Sequence, residues 1–179
     1  QPFERPPDVD PVSLTDSDAI LVVRSDAFFT PDGARAMRGV VDALESLEHV
    51  ESVLWMDRVP VLNIFGLPEP LFPRAEASEH RFTSAREKAL AHPLVGGQLL
   101  SEDGKTLLLL VKFDWLFAPS DEDCMAGLRR AAEAAAAEFS TVSFSFRVTG
   151  RVPIHVTAMQ THEENQLRFQ IIGYGMILL

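Results

Sequence analysis

Apolar and polar positions follow two different rhythms along the chain, and each change of rhythm marks an element. Ala19-Ile20-Leu21-Val22-Val23 is a short unbroken apolar run, the form expected of a strand covered on both faces. Thr30-Pro31 comes next. Thr30 can cap a helix, and Pro31 suits the first helical position, where a missing N–H costs nothing. From there Met37, Val40, Val41, Leu44 and Leu47 recur three or four apart, with Arg35, Arg38, Asp42 and Glu45 off the stripe, which predicts a helix of about five turns. Residues 50–56 are rich in β-formers and predict a second strand.

The rhythm is then lost over residues 57–84, which hold Pro60, Pro68, Pro70 and Pro73. Connections this long inside a compact domain commonly carry function. Leu62, Ile64, Phe65, Leu67, Leu71 and Phe72 lie within it, so the segment is expected to pack on something. These six are the candidate residues for contact with a substrate or partner; the competing expectation is burial against the domain's own sheet. A short helix from Ser84 is expected to end at His92-Pro93.

Residues 96–113 read as a hairpin arm: Gln98-Leu99-Leu100 runs into Ser101-Glu102-Asp103-Gly104, a turn that wants positive φ, and then into the strand TLLLLVKF. Ser120 caps another helix, with Asp123 three residues on as an acidic variant of the capping box. Met125, Leu128, Ala132, Ala135 and Phe139 form its inner stripe. Val142, Phe144, Phe146 and Val148 alternate with polar neighbours as a half-buried strand that Gly150 ends. Strand, helix, strand, inserted arm and strand, helix, strand predict an α+β domain. Two such halves usually close as a ferredoxin-like βαββαβ sandwich, a mostly antiparallel sheet with helices on one face. Residues 1–18, proline-rich and acidic, form a linker or arm; residues 19–157 form the domain; residues 158–179 form a C-terminal helix.

Charge narrows the partners. With 16 basic and 26 acidic residues the net charge is −10. Nucleic acids and anionic lipid surfaces both call for clustered Lys and Arg, so neither is expected. Cys124 is the single cysteine, which rules out an internal disulfide and leaves the redox compartment open. Its place on an apolar helical stripe marks it as a small core residue.

Catalytic and metal motifs fail one by one. His162-Glu163-Glu164 lacks the second histidine of a helical zinc motif, because Gln166 stands there. His49, His80, His92, His155 and His162 have no ligand spacing. Asp8, Asp10, Asp16 and Asp18 lack the glycine and closing glutamate of a calcium loop. Gly96-Gly97 and Gly104 do not compose a phosphate cradle, since Lys105-Thr106 leads into a strand. Ser143 and Ser145 lie in an alternating strand without a nucleophile elbow. No enzyme activity, metal or cofactor is expected.

The last stretch, from Ile171 to Leu179, carries no charge. It is too short to cross a bilayer, which takes about 20 apolar residues in a helix. The expectation is that it forms the first turns of a membrane helix.

Three stretches carry a family resemblance. AILVVRSDAFFTPDGARAMRGVVDALESLEHVESVL, from Ala19, resembles the first extracytoplasmic loop of resistance-nodulation-division (RND) exporters, especially the lipid-exporting, mycobacterial-membrane-protein-large-like branch. HPLVGGQLLSEDGKTLLLLVKF, from His92, is similar to their hairpin and buried strand. VTGRVPIHVTAMQTHEENQLRFQIIGYGMILL, from Val148, resembles their passage into the second membrane span. The resemblance implies a porter-type domain on the extracytoplasmic side of a bacterial inner membrane. It would be joined to the transmembrane part of the same polypeptide and handle hydrophobic or lipid-like substrates in proton-driven export, with room for a homo-oligomer. Proton-coupling residues would lie in other spans, and no substrate-binding residue carries over. Two alternatives stand beside it: a soluble ligand-binding or protein-interaction module with an apolar tail docked on itself or a sister chain, and a small enzyme on the same scaffold.

Overall fold

A computed structural model describes residues 17–59, 70–118, 120–152 and 154. The expected arm before residue 17, most of the apolar loop and the C-terminal helix lie outside the described residues. Four strands, β1 (Ala19–Arg24), β2 (Val50–Leu54), β3 (Thr106–Phe113) and β4 (Ser145–Thr149), form one sheet in the order β2-β3-β1-β4. Every neighbouring pair is antiparallel. Among the described residues three complete α-helices accompany it: α1 (Pro31–Glu45), α2 (Glu79–Ala91) and α3 (Asp121–Ala137).

The register sorts the side chains onto two faces. Leu21 pairs with Leu109 on one side and Val148 on the other, and Val23 pairs with Leu107 and Phe146. Because side chains alternate along a strand, Ala19, Leu21, Val23, Leu107, Leu109 and Val111 share one face, and all are fully buried. Met37, Val40 and Leu44 of α1 and Leu128 and Ala132 of α3 complete that core, with the two helices packed against each other. The opposite face carries Ile20, Val22 and Leu108, half-buried, beside exposed Lys112 and Arg147.

Both crossover helices start as the sequence predicts. The Thr30 hydroxyl accepts from the Gly33 N–H at 3.1 Å and donates to the Ala27 carbonyl at 2.8 Å. A side chain at Gly33 would place its Cβ 1.7 Å from the Ala27 oxygen, so the tight approach into α1 requires glycine there. At α3 the Ser120 Oγ accepts from the Asp123 N–H and donates to the Asp123 carboxylate at 2.7 Å.

Several boundaries differ from expectation: α1 ends at Glu45, short of Leu47, and α3 ends at Ala137, short of Phe139. Helix α2 begins at Glu79 rather than Ser84, since only Phe82, Ala85 and Ala89 on it are buried and so thin a stripe leaves its first turn without a periodic signal. Strand β2 stops at Leu54, and Met56–Arg58 form a 3₁₀ turn. Strand β4 begins at Ser145 because β1 ends at Arg24, its register partner, and Phe144 finds no strand beyond. The hairpin turn is present, with the Gly104 N–H donating to the Ser101 carbonyl and φ of +72° at Gly104. The Ser101 hydroxyl and the Lys105 N–H bond to the Asp103 carboxylate and hold its pKa below the usual value. The arm before it, however, is reduced to two isolated bridges, Gly96 with Leu100 and Leu100 with Leu107.

Candidate contact surfaces

Each end of the sheet collects apolar residues from connecting segments, and the two ends handle them differently. At the end where β1 and β2 finish, Phe72 is the hub. Its ring meets Trp55 edge-on at 5.3 Å and Phe29 at 5.8 Å, and the Arg38 guanidinium lies 5.3 Å above it. Arg38 also donates to the carbonyls of Phe72 (2.6 Å) and Pro73 (2.8 Å), while the Asp57 carboxylate accepts from the Phe72 N–H at 2.8 Å. One arginine and one aspartate thus satisfy the backbone groups that the segment takes out of water.

Of the six residues proposed for substrate or partner contact, Leu71 and Phe72 are placed here, and both are buried in the domain's own core. Phe72 is closed off from solvent altogether, and Leu71 keeps only a small exposed edge. Burial against the domain's own framework, the competing expectation, describes these two. Leu62, Ile64, Phe65 and Leu67 lie outside the described residues.

Beyond Leu71 a groove of about 760 Å³ runs between the 70–77 segment and α2. Pro70, Leu71, Pro73 and Ala85 form its apolar floor, and Arg74, Arg81 and Lys88 stand along it against Glu76. Residues 81, 84, 85 and 88 share one side of α2, which explains how a helix with a thin core stripe also lines a groove.

The other end is where the chain reaches β1 and leaves β4. Asp18, 3% exposed, ties the two passages together. Its carboxylate accepts from the buried Phe113 N–H at 3.0 Å and pairs with Arg151; its own carbonyl accepts from the Val152 N–H at 3.1 Å. Gly150, at φ +120°, lets the backbone turn there within contact distance of Ala19. Next to this clamp the connection from β3 to α3 exposes Trp115, Leu116 and Phe117. Composition and periodicity do not assign these three; the signal available is the apolar run from Trp115 to Ala118 between Asp114 and Pro119, directly after a strand. His49 lies on the inner side, its ring 5.7 Å from Phe113 and its buried Nε2 without a hydrogen-bond partner.

Among the described residues no three His, Cys, Asp or Glu side chains come together as metal ligands. Cys124 is fully buried against the core, and that burial pushes its thiol pKa up. It is a packing residue, as its helical stripe predicted. Among the described residues no helix is long and apolar enough to cross a membrane.

Among the described residues the class defined by these features is an α+β domain built on a four-stranded antiparallel sheet with three helices. No protein-family profile, no curated protein and no solved structure matches the chain.

Proposed function

We propose that this chain is the ferredoxin-like, porter-type extracytoplasmic domain of an RND-like exporter in a bacterial inner membrane, contributing to the path of hydrophobic or lipid-like substrates without catalysing a reaction. The observation that carries the reading is topological. The order β2-β3-β1-β4, antiparallel throughout, with α1 and α3 as crossovers packed together, is what two interlocked β-α-β halves produce. Such a sheet brings the chain in along β1 and out along β4 at the same end, as a domain inserted between two membrane spans requires. The Asp18 clamp fastens that end. In this reading the apolar run from Ile171, which lies outside the described residues, is assigned to the start of the second span.

The test is the encoding gene. The reading frame should continue past Leu179 with about ten further apolar residues, completing a span of about 20. A stop codon directly after Leu179 would remove the proposal.

A second reading, a ligand-binding module on the same fold, draws on the groove beside α2. Removing residues 167–179 separates the two: a module whose tail docks on its own sheet loses stability, and a membrane-inserted tail leaves the folded part as it was.

A further inference from the structure

Five large hydrophobic side chains are exposed among the described residues: Leu94, Trp115, Leu116, Phe117 and Ile154. Four of them lie at one end of the sheet. Trp115, Leu116 and Phe117 come after Asp114, just past the end of β3; Ile154 comes after Gly150, in a helical turn that opens at Arg151 past the end of β4, its N–H bonded to the Gly150 carbonyl. In an antiparallel sheet of this order those two strand ends are neighbours of the start of β1, and Asp18 joins all three.

The turn is held in place. The Asp114 carboxylate accepts from the Leu116 N–H at 3.0 Å, and the Asp114 carbonyl accepts from the Phe117 N–H at 3.1 Å. Trp115 stands edge-on against the ring of fully buried Phe113, at 5.6 Å and 87°. Backbone and ring contacts fix the base of the turn while Leu116 remains 89% exposed. Apolar side chains so presented mark a contact surface.

We infer that this turn and Ile154 form a membrane-resting foot: Trp115, Leu116 and Phe117 insert into the headgroup boundary of a bilayer and set the domain's orientation on it. The inference rests on the exporter reading, in which both passages of the chain at this end lead to membrane spans. Three features on the molecule select lipid as the occupant. The foot lies beside the residues that clamp those passages, so lipid is the nearest surface. Trp settles at the interface between headgroups and acyl chains, and Phe and Leu accompany it on apolar faces buried at that boundary. Four side chains also fall far short of the roughly 20–30 residues per partner of a stable protein interface. The charges nearby are mainly acidic, Asp114 in the turn and Asp121, Glu122 and Asp123 in the first turn of α3, with Arg151 beside the clamp already paired to Asp18. A zwitterionic lipid surface suits this set, because an anionic one would repel the carboxylates.

The chain carries two tryptophans, Trp55 sealed in the Phe72 hub and Trp115 in the foot, so fluorescence reports the contact directly. The 179-residue chain is mixed with phosphatidylcholine vesicles brominated near the top of the acyl chains, which quench only what reaches them. Expected results are quenching of the wild type, none in Trp115→Phe, and at least about a tenfold weaker lipid dependence in the double variant Leu116→Ser, Phe117→Ser, which removes two inserted side chains. Replacing part of the lipid with phosphatidylglycerol should weaken the quenching.

Any of three results overturns the foot and leaves the exporter reading to the reading-frame test. The first is a chain carried by vesicles while Trp115 stays unquenched; the second is a double variant that behaves as the wild type. The third is Trp115 emission that shifts with protein concentration in the absence of lipid, which identifies a second copy as the occupant. A frame that stops at Leu179 together with a quenched Trp115 would do the opposite, removing the exporter and keeping the lipid contact.

Discussion

Leu71-Phe72 and Leu116-Phe117 are the same dipeptide in two connections, and the domain buries one and exposes the other. The difference lies in what surrounds the backbone. Arg38 and Asp57 reach in from α1 and the 3₁₀ turn to bond the carbonyls of Phe72 and Pro73 and the N–H of Phe72, so that segment can leave water without stranding polar groups. At the opposite end the Leu116 and Phe117 N–H groups are satisfied from within the turn, by Asp114, while the Asp114 N–H donates to the His49 carbonyl. Trp115 rests on Phe113, and Leu116 and Phe117 are left facing water. An apolar loop is thus buried where long polar side chains from neighbouring elements can accompany its backbone, and is left exposed where they cannot.

The largest test of this contrast is Phe72→Ala. Removing a fully buried ring in contact with Trp55, Phe29 and Arg38 should destabilise the domain by about 3–5 kcal/mol, read from the midpoint of urea unfolding. A loss below about 1 kcal/mol would mean that the segment merely rests on the core.

Asp18→Ala should come next, at about 1–3 kcal/mol, because it strands the buried Phe113 N–H. Arg151 contributes little to that figure, since its side chain is 72% exposed and water replaces its partner. If Arg151→Ala cost as much as Asp18→Ala, the ion pair rather than the buried N–H would hold that end together.

The smallest effect belongs to Leu116→Ser with Phe117→Ser. Unfolding without lipid should change by no more than about 0.5 kcal/mol, the range of surface substitutions. A large loss would place these side chains in the core and erase the contrast between the two ends.

The elements legible in the sequence were those with a strong local signal. Strand β3 and the caps at Thr30 and Ser120 stand where periodicity and capping chemistry put them, because each depends on neighbours within a few residues. The first turn of α2 escaped because Glu79-His80-Arg81 shows no stripe, and Phe144 fell outside β4 because a strand ends where its partner ends. The candidate contact residues divided in a similar way. The apolar character of Leu71 and Phe72 was plain from composition, but what they touch was not. Their fate depends on Arg38 and Asp57, which lie 34 and 15 positions from Phe72 along the chain.

Local rhythm, capping residues and the Asp-Gly turn thus determined which segments become helix and strand, since those choices rest on backbone geometry and side-chain spacing within one turn or one pleat. Tertiary structure alone decided the strand order, the meeting of Asp18 with Phe113 and Arg151, and which of two Leu-Phe pairs faces water. Those outcomes require groups far apart in sequence to satisfy one another's hydrogen bonds, and no local pattern encodes such a partner.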